Sequence, residues 1–166
     1  GVFVCPDPKE ALPALKEIER RHGANAPVVV EELLEGPEVS VMGVTDGKTI
    51  RLFPTSRDHK RLLDGDRGPN TGGMGAYTPV ADVDAKTLAI IEKTVVAPTL
   101  QGLAAEGIAY RGFLYFGLMM TAAGPKLLEY NARLGDPETE VLLPALEGEL
   151  LPALLASFDG TLDRQS

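Results

Sequence analysis

The stretch Lys126-Leu-Leu-Glu-Tyr-Asn-Ala-Arg133, running directly into Leu134-Gly-Asp-Pro-Glu138, carries the densest chemistry in the chain. In an extended backbone successive side chains alternate faces, so Glu129, Asn131 and Arg133 share one side while Leu128 and Tyr130 share the other. An acid, an amide and a guanidinium then stand in one row. Two oxygen donors beside a cation suit a hard metal ion such as Mg²⁺, which takes oxygen ligands and shares them with a phosphate-bearing substrate. A polar solvent face on an edge strand would give the same pattern, and this segment alone leaves both open.

A second segment, Asp64-Gly-Asp-Arg-Gly-Pro-Asn-Thr-Gly-Gly-Met-Gly-Ala-Tyr77, places glycines at 65, 68, 72, 73 and 75. Glycine permits positive φ and close approach of backbone to a ligand, and consecutive amides in such turns form concave anion sites. A merely flexible loop has no need of Asn70 and Thr71, nor of the flanking Asp58, His59, Lys60, Arg61 and Arg67. A binding role is therefore expected here.

Composition limits the alternatives. At 166 residues and 44% apolar content the chain can bury one core of ordinary size. With 24 acidic against 16 basic residues the formal charge is −8, which argues against a nonspecific nucleic-acid or anionic-membrane surface. Any phosphate site must be local. No uninterrupted apolar run approaches the roughly 20 residues needed to cross a bilayer, and the N-terminus lacks a charged-then-apolar leader pattern, so a cytoplasmic protein is expected. The single cysteine, Cys5, supports neither a disulfide framework nor a zinc site.

Along the chain, residues 1–5 and 28–34 read as apolar strands. Asp7, Pro8 and Glu10 mark a helix start ahead of Leu12, Leu15 and Ile18, with Gly23 as its stop and Pro13 predicting a kink or a later start. Residues 38–45 and 48–55 read as strands joined by Asp46-Gly47, a strong short hairpin signal. Residues 56–80 lack periodicity, which at that length implies a functional loop. Residues 84–106 have helical spacing divided by Pro98. Residues 112–121 and 126–131 form a second expected hairpin, and residues 139–147 and 149–158 are expected helices. Glu31 and Glu32 point to opposite faces of their segment, so one can meet a ligand while the other meets solvent. His22 and His59 are read as structural.

Taken together, Val30-Glu-Glu-Leu-Leu-Glu-Gly-Pro-Glu38, Ser56-Arg-Asp-His-Lys-Arg61, Gly68-Pro-Asn-Thr-Gly-Gly-Met-Gly-Ala-Tyr77, Gly112-Phe-Leu-Tyr-Phe-Gly117 and Glu129-Tyr-Asn-Ala-Arg-Leu-Gly-Asp-Pro-Glu138 resemble the phosphoribosylamine–glycine ligase family of ATP-grasp carboxylate–amine ligases. The resemblance covers nearly the whole chain with its motifs in order. It implies an α+β fold, an ATP-grasp domain with an antiparallel sheet and flanking helices. It also implies that residues 1–166 are the central and C-terminal part of that domain, with residues 1–55 a nucleotide-hinge subdomain and 56–166 a substrate and metal subdomain.

The activity implied is ATP-dependent ligation of glycine to 5-phosphoribosylamine through glycyl phosphate in purine biosynthesis, giving glycinamide ribonucleotide, ADP and phosphate. The implied cofactors are ATP and Mg²⁺ or Mn²⁺. The implied partners are these small molecules and the rest of the same enzyme, with no nucleic acid and no membrane. By motif position Glu129 and Asn131 would hold the metal, and Arg133 would stabilise charge developing on the acyl phosphate. Glu31, Glu32 and the backbone at Leu34 resemble the adenine hinge, and Glu38 the ribose contact. Asn70, Thr71, Gly72, Gly73, Met74 and Gly75 would bind phosphoribosylamine with Asp58 and Lys60 nearby, and Asp136 and Glu138 would orient an amine or support that loop.

Against the family pattern, the phosphate-covering Gly-rich loop with its lysine, the N-terminal substrate domain and the C-terminal domain have no counterpart in these residues. No acidic metal ligand stands in residues 112–120, so metal binding is expected to rely on few protein donors. The piece alone is expected not to turn over. Another ATP-grasp ligase, or a noncatalytic nucleotide-binding module, are the alternatives.

Overall fold

The computed structural model describes residues 2–65 and 67–164. The chain separates into two compact units, Gly1–Glu35 and Gly36–Ser166. The segment from residue 38 onward is hydrogen-bonded into the main sheet of the second unit.

In the first unit, helix α1 (Pro8–His22) is capped as expected: the Asp7 side chain accepts from the Lys9 amide at 2.5 Å, and Pro8 opens the first turn. Gly23 ends it at φ 93°, its N–H donating to the Glu19 carbonyl at 2.8 Å. The helix runs unbroken through Pro13, against the expected kink or late start. The cap and the Glu17 carboxylate, which accepts from Arg20 and Arg21 at 2.7 and 2.6 Å, support the turns around it. The described part of residues 1–5 and the whole of 28–34 do not form the expected strands. Apolar β-branched residues make a strand only when a neighbour takes up their N–H and C=O groups, and no ladder partner is present among the described residues; Val29 and Val30 are exposed.

The second unit is built on a four-stranded antiparallel sheet. β1 (Glu38–Thr45) pairs with β2 (Ile50–Leu52) on one side and along its full length with β7 (Gly112–Thr121) on the other, and β7 pairs with β8 (Gly124–Asn131). Both expected hairpins form. In the first, Asp46 accepts from the Lys48 and Thr49 amides at 2.9 and 2.8 Å and from the Leu162 amide at 3.3 Å. Burial pushes the Asp46 carboxyl up, but these amides outweigh it and hold it below its usual value. The second strand of that hairpin stops at Leu52, short of the expected residue 55.

Each face of the sheet is covered, which is why β1 reads as almost continuously buried instead of alternating. Val39, Val41, Leu114, Phe116 and Leu118 pack against Val80, Ile91, Val95 and Val96 on one face. Met42, Val44 and Tyr115 pack with Phe53, Leu142, Ala156 and Leu162 on the other. The first layer comes from helix α2 (Ala85–Ile91), a π-helical turn over Glu92–Val96 and helix α3 (Ala97–Ala105), so the division falls just before Pro98. The 21-residue helical run Ala85–Ala105 has the length and mean apolar composition of a membrane span, although Lys86, Glu92 and Lys93 interrupt it. Its Ile91, Val95 and Val96 face the sheet core. The second layer comes from α4 (Glu138–Leu142), a 3₁₀ turn over Leu143–Ala145, and α5 (Leu150–Asp159).

The segment 56–80 is not a structureless loop. It holds four short strands, β3 (Arg57–Asp58), β4 (Arg61–Leu63), β5 (Arg67–Asn70) and β6 (Ala76–Tyr77), paired β3 with β6 and β4 with β5. Strands of two to four residues are too short to show alternation, so the sequence carries no period for them.

Candidate functional site

β8 does not pair regularly with β7. Leu118 opposes Leu127 and Gly117 opposes Glu129, which leaves Leu128 as an extra, bulged residue. The bulge resets the phase of the strand. Leu127 packs on the helix-covered core, and Tyr130 meets Phe116 edge-on at 5.8 Å and the Thr99 hydroxyl at 2.8 Å on that same side. Glu129 and Asn131, opposite Gly117 and Tyr115, face the other side. The expected row of Glu129, Asn131 and Arg133 therefore exists, although the partner of Tyr130 on the helix side is Leu127 and not the bulged, exposed Leu128.

These three side chains line a cleft of about 130 Å³ together with Asp58, Lys60, Gly72, Tyr115, Gly135, Asp136 and Glu138. The Asn131 amide nitrogen donates to Glu129 Oε1 at 3.2 Å. Arg133 is exposed and its Nη1 donates to the Leu134 carbonyl at 2.9 Å.

Glu138 sits at the base of the cleft, 3% exposed. Its Oε1 accepts from the Ser40 hydroxyl at 2.8 Å and the Tyr115 hydroxyl at 3.1 Å, and these two hydroxyls are 2.9 Å apart. Burial, followed by the charge of Glu138, pushes the Tyr115 hydroxyl well above its usual value, so it stays a donor. Gly135 is required beside it: a Cβ there would stand 2.2 Å from Glu138 Oε2. Ser40, Tyr115 and Gly135 were not singled out in the sequence. Ser40 and Tyr115 hide within strands that otherwise read as apolar, and only their polar tips would have signalled them.

The loop 71–75 is laced to the segment 58–60. The Thr71 hydroxyl donates to the Lys60 carbonyl at 2.9 Å, the Met74 amide to the His59 carbonyl at 2.8 Å, and the His59 amide to the Gly75 carbonyl at 2.9 Å. Gly73, at φ +134°, lies against Asp58 and Pro137, where a Cβ would stand 3.2 Å from Asp58 Oδ1 and 2.6 Å from Pro137 Cδ. Of that loop Gly72 lines the cleft, and Thr71, Met74 and Gly75 are held to the segment 58–60 by the hydrogen bonds above. Asn70 pairs through its backbone with Arg61, and its side chain lies outside the described ones.

Lys60 Nζ is 2.8 Å from Glu38 Oε2. Burial pushes the ammonium down, but the Glu38 bond and the carboxylates of Asp58 and Glu129 outweigh it and hold it above its usual value. Asp58 Oδ1 is buried and has no hydrogen-bond partner among the described residues; burial first, then the charge of Glu138, pushes its carboxyl above the usual value. Glu31 and Glu32, exposed, and Leu34, half-buried, belong to the first unit, whereas Glu38 opens β1 of the second.

Among the described residues no group of three or more His, Cys, Asp or Glu side chains is placed to hold a metal ion. The donors that fit one are the Glu129 carboxylate and the Asn131 amide oxygen. Such a pair suits Mg²⁺, which binds through one or two protein oxygens and completes its shell with water and substrate phosphates.

A four-stranded antiparallel sheet with helices on both faces, presenting an acid–amide row to a cleft walled by a glycine-rich loop, is the ATP-grasp fold. The solved D-alanine–D-alanine ligase of Bacillus anthracis shares that fold, with a TM-score of 0.58 at 20% identity over 99% of this chain and 51% of that one. Residues 1–139 match the family described as phosphoribosylglycinamide synthetase, ATP-grasp (A) domain, and the chain belongs to that family. It is 49% identical to phosphoribosylamine–glycine ligase of Chlorobaculum tepidum over 98% of this chain and 39% of that protein. It is also 50% identical to the trifunctional purine biosynthetic protein adenosine-3 of Drosophila melanogaster over 99% of this chain and 12% of that one. The crystal structure of phosphoribosylamine–glycine ligase from Thermotoga maritima superposes with a TM-score of 0.85 at 44% identity, covering 96% of this chain and 41% of that one. The chain thus spans well under half the length of these relatives.

Proposed function

We propose that this chain is the part of an ATP-dependent carboxylate–amine ligase that joins glycine to 5-phosphoribosylamine. The observation that carries the reading is the row of Glu129, Asn131 and Arg133 lining one cleft together with Asp58, Lys60 and Gly72. A carboxylate is a poor electrophile. One glycine carboxylate oxygen therefore attacks the γ-phosphorus of ATP, the bond to the β-phosphate oxygen breaks, and ADP leaves. The amine then attacks the acyl carbon of glycyl phosphate, inorganic phosphate departs with the C–O electron pair, and the amine loses a proton.

Both steps depend on alignment and on balancing negative charge rather than on a protein nucleophile. Glu129 and Asn131 are the residues that would hold Mg²⁺ or Mn²⁺, which when bound supplies charge neutralisation at the ATP phosphates. Arg133 reaches into the cleft as a fixed cation for the acyl phosphate. Lys60, held protonated by Glu38, adds a second positive charge to the cleft. The loop 71–75 and Asp136 bind the phosphoribosylamine side, and Glu38 the ribose of ATP. The Ser40–Tyr115–Glu138 network fixes the turn that presents Arg133 and Asp136.

The test is ADP release by the enzyme that carries this domain. Release that requires both glycine and 5-phosphoribosylamine supports the reading. Nucleotide binding with no acceptor-dependent release would make the domain a binding module instead.

A further inference from the structure

Between Ser56 and Tyr77 the chain leaves the main sheet and supplies Asp58, Lys60 and Gly72 to the lining of the cleft. Among the described residues its backbone pairing to β1 is a single bridge, in which Ser40 and Ser56 exchange N–H···O bonds of 2.8 and 3.0 Å. Two residues back along β1 the Glu38 carbonyl points to the same side as that of Ser40. There the Arg57 side chain takes the place of a ladder partner, its Nε donating to the Glu38 carbonyl at 2.8 Å.

The same guanidinium donates through Nη1 to the Tyr77 hydroxyl at 2.9 Å and through Nη2 to Asp82 Oδ2 at 2.8 Å. Tyr77 is the cross-strand partner of Arg57 on β6, and its ring stacks on His59 at 5.5 Å. Three nitrogens of one planar group thus reach the start of β1, the strand that closes the 71–75 loop, and the turn ahead of α2. A lysine, with one nitrogen on a flexible stem, cannot reproduce that fork. Since β1 is pinned along its full length by β7, the party that loss of the fork would free is the 57–77 segment. Arg57 itself stands outside the cleft lining.

We propose that Arg57 is a positioning residue for the phosphoribosylamine side of the cleft, setting the stance of Lys60 and the 71–75 loop against β1 without touching substrate. This rests on the ligase reading above and deepens it, because it names a determinant of one substrate's affinity that lies outside the cleft.

The experiment compares wild type with Arg57→Met, Arg57→Lys and Asp82→Ala in the full-length enzyme, by steady-state kinetics with each substrate varied in turn and by a thermal melt. In both Arg57 variants the KM for 5-phosphoribosylamine is expected to rise roughly tenfold, a modest misplacement of binding groups, with kcat and the KM values for ATP and glycine within about twofold of wild type. Asp82→Ala, which removes one arm of the fork, is expected to raise the same constant by less. A lowered melting temperature with all three KM values unchanged marks a merely structural role and overturns the proposal. Full rescue by Arg57→Lys, or a rise shared equally by the three substrates, overturns it too. Should neither Arg57 variant fold, Asp82→Ala decides, and an unchanged KM for 5-phosphoribosylamine then counts against the proposal. Each of these results leaves the ligase reading standing, whereas wild-type enzyme whose ADP release needs no 5-phosphoribosylamine would remove that reading itself.

Discussion

Glu129 and Asn131 stand two residues apart on β8 with the Asn131 amide nitrogen 3.2 Å from Glu129 Oε1, both turned to the cleft, while Tyr130 between them is bonded to Thr99 on the far side of the sheet. The arrangement places two oxygen donors on one side at no cost to the core. Glu129 is exposed. Glu129→Ala is therefore expected to lower kcat of the full-length enzyme by roughly 10²–10³-fold, the scale of losing one preorganised electrostatic contact, with an unchanged melting temperature. Coupled measurement of ADP release beside a thermal melt checks both halves.

Tyr130→Phe is the matching control on the opposite face. It removes the hydroxyl that meets Thr99 and leaves the ring against Phe116. A stability loss of about 0.5 kcal/mol, the low end for one hydrogen bond, with kcat within twofold of wild type, is the expected outcome in a denaturant melt and a kinetic assay.

Gly135→Ala tests the floor of the cleft. The added methyl would stand 2.2 Å from Glu138 Oε2, so the carboxylate must leave the Ser40 and Tyr115 hydroxyls. The two hydroxyls, 2.9 Å apart, can still pair with each other, so one buried donor is left without an acceptor, at a cost of about 1–3 kcal/mol. Chemical denaturation should show a loss of at least that size, larger than for Ala substitution at the exposed Gly72.

Asp58→Asn should stabilise the ligand-free protein. Burial and Glu138 hold the folded carboxyl above its ordinary value of 3.8, so ionisation costs more in the folded than in the unfolded state. That cost is absent below the unfolded value and grows as pH rises through 3.8 toward the folded one. The variant is thus expected to be more stable than wild type at pH 7, with the advantage shrinking as pH falls toward 4. Melting curves across that range measure it.

Much of this was legible in the chain. The strands at 38–45 and 112–121 end where the sequence ends them, because Asp46-Gly47 and the turn after Thr121 are strong local signals. The acid–amide row was legible because alternation holds locally from 129 to 131. The bulge at Leu128 was not, since it is set by pairing with β7, and it moved Leu127 rather than Leu128 to the side of Tyr130. The run 28–34 misled for the related reason that strand character depends on a partner, and β-branched residues alone do not supply one. Glu138 read as a residue that orients an amine or supports the neighbouring loop, and its two hydroxyl donors come from residues 98 and 23 positions away, a long-range relationship with no trace in its own motif.

The central claim is that Glu129 and Asn131 together hold the divalent cation of the nucleotide. The direct measurement is a crystal structure of the full-length enzyme with Mn²⁺ and a nonhydrolysable ATP analogue, the ion located by its anomalous signal. The account expects the ion within about 2.0–2.3 Å of a Glu129 carboxylate oxygen and of Asn131 Oδ1, with triphosphate oxygens completing its shell. An ion bound to the triphosphate with neither side chain in reach would contradict it.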